Sequence, residues 1–334
     1  MFWKKKNVER VRWAVVGTGA IAHRFVSELS LHPEVNFHAV SSTDSKRGRA
    51  FAEQYGIPHV CVGLDEMLER DDIDAAYIAT VHPLHVEQTL ACLHAGKAVL
   101  SEKPLGVHPG GVENVMDAVE KTGVFAMEAM KSIHLPAIRK GLAWQSEGRL
   151  GEVRQLRASF CFKVTPRADS RLFDPRQAGG CVLDVGYYGI EASRWFLGLD
   201  EVTVSAVGSV CTTGVEDQAV VNIRYPSGAV ATTHCAISCP APVSLEVLGT
   251  EGRLHFDSFN QASAVDFIPL QGRPERFEEK QGLFRYEVEE VHRCLREGLK
   301  QSDIMPLRST WQTSCVMDSA LRQIHQDKLP AYLL

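Results

Sequence analysis

A chain of 334 residues has room for two ordinary domains with buried cores, and 45% apolar against 23% charged residues is the balance of a soluble globular protein. A net charge of −5 without an acidic or basic tail argues against nucleic acid as a partner. No apolar run approaches a membrane span, and none of signal-peptide length follows the basic start Met1-Phe-Trp-Lys-Lys-Lys6. Nine scattered cysteines without a CxxC pair suggest reduced thiols in the cytoplasm. Cys235 and Cys239, four apart on one strand, would share a face and pack rather than bind metal.

From Val11 to about Gln145, short apolar runs alternate with segments of helical period. The runs are Val11–Val16, Val35–Val40, Ala75–Ala79, Ala98–Leu100 and Val124–Met127. Between them lie the amphipathic stretches Lys46–Tyr55, Leu84–Ala95 and Pro109–Lys121, closed by Gly56, Gly96 and Gly123. Fully apolar strands separated by helices indicate a parallel sheet covered on both faces. The second half has a different rhythm. Val153–Val164, Val202–Val210, Ala219–Tyr225 and Ala229–Ile237 read as long strands, with helices at Tyr187–Leu197, Tyr286–Leu299 and Thr310–Gln326. The expected architecture is α/β plus α+β. A Rossmann domain with a parallel sheet spans 1–130; a domain with a large, open, mostly antiparallel sheet spans 131–334, its last helix able to pack back on the first.

Val15-Val-Gly-Thr-Gly-Ala-Ile-Ala22 follows the first strand and opens a helix. Gly17 permits a tight turn, Gly19 lets backbone approach a pyrophosphate, and Ala22 is small enough for close helix–strand packing. The helix start then offers N–H groups and a positive dipole end to phosphate, which makes Gly17, Thr18, Gly19, Ala20 and Ile21 the candidate cradle. At the tip of the second strand, an NAD site wants a carboxylate for the ribose 2′-hydroxyl. This chain has Ser41, Ser42 and Thr43, then Lys46 and Arg47. Ser42 and Thr43 with the Arg47 cation suit a 2′-phosphate and hence NADP; Asp44 keeps NAD open.

Ala98-Val-Leu-Ser-Glu-Lys-Pro-Leu-Gly106 sets a charged pair and a proline after an apolar run. Taken alone, Lys103 is a solvated loop residue. Together with the glycine loop and a third motif, Ala178-Gly-Gly-Cys-Val-Leu-Asp-Val-Gly-Tyr-Tyr188, it makes the chain resemble the Gfo/Idh/MocA oxidoreductase family from Val11 to Pro306. Its dihydrodiol dehydrogenase and glucose–fructose oxidoreductase branches are the most similar. Thr80-Val-His-Pro-Leu-His85, Ala95-Gly-Lys-Ala-Val99 and Gly214-Val-Glu-Asp217 carry the likeness to the first.

The resemblance implies reversible hydride transfer between a nicotinamide and a sugar, polyol or diol, in a homodimer or higher homo-oligomer assembled on the second domain's exposed sheet face. Lys103 matches the family's catalytic lysine, where an ammonium stabilises developing negative charge. Tyr188 matches the proton-shuttling position. Asp184, four residues earlier, would share its helical face and hold substrate hydroxyls. Thr80, His82, His85 and Glu102 match the cofactor side, although His82 reads equally well as a surface histidine. The chain departs from the family at Ile133 and His134, where an arginine and an aromatic usually face the substrate, so substrate identities do not carry over. His134 and Arg171 are candidate substrate contacts; Arg167 and Arg171 also read as solvated loop charges. Residues alone leave two other readings. A nicotinamide-binding sensor or scaffold would not need both Lys103 and Tyr188. A zinc enzyme built on His82, His85 and His94 would lack a joining cysteine or carboxylate cluster, so no metal is expected.

Overall fold

The computed structural model of the chain describes residues 10–167, 170–280 and 282–326. Described residues fall into two compact units. The first comprises residues 10–106, 110–130 and 282–310, the second 107–109, 131–167, 170–280 and 311–326. Residues 282–310, which the sequence division put in the second domain, are therefore part of the first.

The first unit alternates strand and helix: β1 (Val11–Val16), α1 (Ala20–Leu29), β2 (Val35–Ser42), α2 (Ser45–Tyr55), β3 (His59–Val62), α3 (Leu64–Leu68), β4 (Ala75–Ile78), α4 (His85–His94), β5 (Ala98–Glu102), α5 (Pro109–Thr122) and β6 (Ala126–Ala129). The six strands pair in parallel in the order β3-β2-β1-β4-β5-β6. Strand order reverses at β1, which leaves a crevice at the carboxyl end of β1 and β4. Apolar runs bury both faces, as in β4 (Ala-Ala-Tyr-Ile), whose four residues are all buried. Two expectations shift. β5 continues through Ser101 and Glu102, both buried, and the sixth strand is Ala126–Ala129 rather than Val124–Met127.

The first unit's core closes around Trp13, Phe25 and Tyr77, with Phe25 stacked on Tyr77 at 3.7 Å. Later in the chain, α9 (Arg285–Glu297) buries Val288, Val291 and Cys294, and its His292 accepts a hydrogen bond from Trp13 Nε1 at 3.1 Å. Glu28 on α1 accepts the Phe284 N–H at 2.7 Å just before α9. These contacts explain why the helix belongs with the first unit.

The second unit carries α6 (Lys131–His134), α7 (Pro136–Ser146), β7 (Val153–Lys163), α8 (Tyr187–Leu197), β8 (Thr203–Val210), β9 (Glu216–Arg224), β10 (Val230–Ala236), β11 (Ser238–Gly249), β12 (Gly252–Asp257), β13 (Ala264–Pro269), β14 (Glu275–Glu278) and most of α10 (Leu307–Ile324). Its eight strands run in the order β14-β13-β12-β11-β7-β10-β9-β8. All pairs are antiparallel except β7 with β10. Helix α8 lies against β7 and β10 on one face. The opposite face presents Val207, Val220 and His234 in one cross-strand row, with Val207 66% exposed.

Candidate active site

The Gly17 loop is pinned from both neighbours of β1. Gly17 N–H donates to Ser41 O at 2.9 Å, and Val16 O accepts Ala79 N–H at 2.8 Å. Gly17 has φ +102°, and a Cβ there would stand 2.7 Å from Ala79 O, so only glycine fits. Gly19 is the N-cap of α1, and no side chain caps that helix start. Exposed Gly19 and Ala20, with Thr18 and Ile21 half-buried beside them, form a backbone cradle of the kind a pyrophosphate fills.

At the tip of β2 the side chains divide their work. Ser41 Oγ donates to Gly63 O at 2.8 Å, and Ser42 Oγ accepts the Asp44 N–H at 3.2 Å. Asp44 is the N-cap of α2: its Oδ1 accepts from Lys46 N at 2.8 Å and Arg47 N at 3.1 Å. Those two N–H groups hold its carboxyl below the usual range. The Asp44 carboxylate is thus turned onto its own helix, while Thr43 and Arg47 stay exposed.

The Lys103 segment is fixed by buried groups on several sides. Tyr77 OH donates to Glu102 Oε1 at 2.5 Å, and Lys103 N–H donates to Glu102 Oε2 at 3.2 Å. The Lys103–Pro104 peptide is cis. His85, fully buried, places Nδ1 at 2.8 Å from Pro104 O and Nε2 at 3.2 Å from Thr80 O. Burial lowers its pKa, so the ring is neutral at pH 7 and donates to one of the two carbonyls. His82 is only 5% exposed and meets His85 edge-on at 5.8 Å, a packed histidine rather than a surface one. Leu105 N–H donates to Glu128 Oε1 at 2.7 Å, and Thr310 Oγ1 to Glu128 Oε2 at 2.8 Å. Glu128 is fully buried, and sequence reading gave it no role.

In the second unit the glycine-pair motif begins at a sharp turn. Gly180 has φ +112°, and a Cβ there would collide with Glu216 Oε1. That buried carboxylate accepts Val182 N–H at 3.0 Å and faces His325 Nε2 at 3.2 Å. Val182–Gly186 is a π-helical turn running into α8. Such turns are frequent at functional sites. Asp184 Oδ1 accepts from Arg171 Nη2 at 2.8 Å, so Arg171 is an ion-pair partner rather than a solvated charge. Arg167 lies beside residues 168 and 169, which are outside the described residues. Tyr188, 7% exposed, is set between Phe160 at 5.4 Å and Tyr187 at 6.3 Å. Lys131 Nζ donates to Tyr188 OH at 3.0 Å and sits 5.0 Å from the ring centre. His134, 6% exposed, belongs to the same short helix as Lys131.

The cysteines depart from expectation in one respect. Cys235 is the penultimate residue of β10 and Cys239 stands exposed in β11, so the chain turns between them and they share no strand face. Cys235 instead lies 3.6 Å from Cys181 Sγ. Among the described residues, the grouping of side chains within ligand reach of one another is His38, His59 and Asp72, not His82, His85 and His94. Arg70 takes both Asp72 oxygens, at 2.9 and 2.6 Å, and holds that carboxyl far below its usual range. Among the described residues no helix is long and apolar enough to cross a membrane.

A parallel sheet with a glycine cradle at its switch point defines a dinucleotide-binding class. Known proteins agree. Residues 11–130 match the oxidoreductase family with the NAD-binding Rossmann fold, and residues 139–255 match the GFO/IDH/MocA C-terminal domain. The chain belongs to this family and is a nicotinamide-dependent oxidoreductase. It is 34% identical to trans-1,2-dihydrobenzene-1,2-diol dehydrogenase of Mus musculus over 94% of this chain and 97% of that one. The Bos taurus protein of the same name is also 34% identical, over 89% and 92%. A 3-ketoreductase from Actinomadura kijaniata, solved with NADP and TDP-benzene, superposes with a TM-score of 0.84 at 26% identity, covering 93% of this chain and 97% of that one. An aldose–aldose oxidoreductase from Caulobacter crescentus shares the fold, with a TM-score of 0.85 at 23% identity over 96% and 98%.

Proposed function

We propose that the protein transfers hydride reversibly between NADP(H) and a hydroxyl- or carbonyl-bearing carbon of a sugar, polyol or diol, with Lys103 and Tyr188 as the acid–base pair. The observation that carries this reading is the anchoring of Lys103, whose flanking backbone is held by Glu102, His85 and Glu128. A lysine needed only for solubility would not require three buried partners around it. The ketoreductase solved with NADP and the dihydrodiol dehydrogenases support the cofactor and substrate class.

Gly17, Thr18, Gly19, Ala20 and Ile21 would hold the pyrophosphate, and Ser42, Thr43 and Arg47 the ribose phosphate. Thr80, His82, His85 and Glu102 would line the cofactor side. When bound, the nicotinamide supplies or accepts the hydride. Lys103 stabilises negative charge on the reacting oxygen. Tyr188 gives that oxygen a proton during reduction and takes one back during oxidation. Asp184, oriented by Arg171, accepts hydrogen bonds from substrate hydroxyls, and His134 lies in a segment turned to substrate. Nine free thiols suit the reducing cytoplasm.

A screen of purified protein against polyols, ketoses, aldoses and trans-dihydrodiols, following reduced nicotinamide by absorbance with each cofactor, tests the reading. Turnover of one of these classes with NADP(H) is expected; binding of cofactor without turnover of any would contradict it.

A further inference from the structure

Lys131 lies outside the motifs that point to the reaction, yet it meets Tyr188, the last residue of the glycine-pair motif. Lys131 opens α6, a helix of four residues whose other members are buried. Ser132 Oγ ties that helix to Asn260 O at 2.8 Å, and Pro136 then opens α7. The backbone beneath Lys131 is therefore fixed, and its ammonium reaches Tyr188 in two ways. It donates to the phenol oxygen at 3.0 Å and lies 5.0 Å from the ring centre. A solvated lysine pays rotamer entropy to hold one geometry; two concurrent contacts to one aromatic residue offset that cost.

We propose that Lys131 is a positioning residue for proton transfer by Tyr188, a second ammonium acting through the phenol; this rests on the reading that Tyr188 is the proton donor. The chemistry follows from donor inventory. An ammonium carries three donors and no acceptor, so in this bond the phenol oxygen accepts. The phenol O–H is consequently not spent on Lys131 and stays directed elsewhere. During reduction, the O–H bond of Tyr188 breaks as its proton bonds to the substrate oxygen, and the electron pair remains on the phenol oxygen. That phenolate is left 3.0 Å from the Lys131 ammonium, a charge-assisted contact stronger than the neutral one it replaces. The interaction therefore grows along the reaction and assists the transition state more than the ground state. Oxidation runs the same transfer backwards, with Tyr188 entering as phenolate.

A double-mutant cycle decides this, using kcat and KM on an identified substrate and cofactor titration of each variant. Lys131→Met should lower kcat by about ten- to a hundred-fold, the range of a hydrogen bond to a charged group, with KM and cofactor affinity little changed. Lys131→Arg, which keeps charge and donors, should recover most of the loss. In a Tyr188→Phe background, Lys131→Met should add almost nothing, because its effect passes through the phenol. Normal kcat in Lys131→Met alongside a crippled Tyr188→Phe would overturn the inference and leave the proposed reaction standing. An undiminished Lys131→Met effect on top of Tyr188→Phe would likewise overturn it. Near-normal turnover in Tyr188→Phe would remove the proposed donor and the inference with it. Should Lys131→Met not fold, as judged by its melting curve, Lys131→Gln serves in its place and is read the same way.

Discussion

Glu128 and Leu105 stand 23 residues apart, and the fully buried carboxylate of the first accepts the backbone N–H of the second at 2.7 Å. The bond fixes the chain two residues beyond Lys103. Thr310 donates to the other oxygen at 2.8 Å, so one side chain ties β6, the Lys103 loop and the start of α10. Glu128→Ala would leave a buried N–H and a buried hydroxyl unpaired, at about 1–3 kcal/mol each. Thermal melts should show a loss of about 2–6 kcal/mol, with a fall in kcat larger than any change in cofactor affinity. Glu128→Gln keeps one acceptor for Leu105 and can donate to the threonine, so it should be milder on both counts. An unaltered melt in Glu128→Ala would contradict this role.

The split of duties at the tip of β2 bears on cofactor choice. Asp44 caps α2, and Arg47 is exposed with Nε 3.5 Å from Asp44 Oδ2. Arg47→Ala should weaken NADP(H) about tenfold and leave NAD(H) nearly unchanged, as removal of a phosphate partner would. Asp44→Ala should lower stability by about 1 kcal/mol through the lost cap. Titration with both cofactors checks the pair. Tighter NAD(H) binding by the unaltered protein, abolished in Asp44→Ala, would mean that the carboxylate governs the ribose.

His292 gives the stability a defined pH dependence. Its Nε2 accepts from Trp13 and its Nδ1 faces Glu34 at 3.4 Å; burial lowers its pKa to about 4, against the opposing pull of Glu34. A proton on Nε2 would cancel the Trp13 bond, since an indole N–H only donates. The unfolded chain takes up that proton near pH 6.5 and the folded chain only near pH 4. The contribution is therefore complete above about pH 6.5 and is lost as pH falls towards about 4, by up to about 3 kcal/mol. His292→Gln offers the same acceptor without a charge change. Melts across this window should show a shallower acid slope in the variant; identical slopes would rule His292 out as the source.

Much of this was legible in sequence where local pattern carries the information. The Gly17 loop, the helical periods of α2, α4 and α5, and the β-rich second half follow from residue spacing alone. β3 and α3, of four and five residues, are too short to show a period. The strand containing Ser101 and Glu102 was cut short because its last residues are polar. They are buried because Tyr77, 25 residues away, accommodates the carboxylate. The roles of Glu128, Glu216 and Lys131 are hidden for the same reason, although Glu216 falls within the Gly214–Asp217 motif. Their partners lie 23, 34 and 57 residues away, and local spacing does not reveal which buried group each one meets.

The second unit's outward sheet face should join copies of the chain. Val207, Val220 and Val230 lie there among Gln218, Asn222 and Thr232, a largely apolar and weakly polar surface with Arg224 beside Val230 and Arg157 beside Thr232. Light scattering at micromolar concentration should give a dimer or higher mass. Val207→Asp should shift it towards monomer, because a carboxylate forced into a dry interface costs several kcal/mol. A monomeric mass for the unaltered protein would remove the proposal.

Steady-state kinetics of Tyr188→Phe and Lys103→Ala on an identified substrate, with NADP(H) titration of each, tests the central claim most directly. Tyr188→Phe should lower kcat by about two to four powers of ten, and Lys103→Ala by at least as much, while Tyr188→Phe binds cofactor almost as before. The double variant should fall far short of the product of the two losses, because the groups act as a unit. Near-normal turnover in Tyr188→Phe would contradict the account and move the proton donor elsewhere, with His85 or His134 next in line.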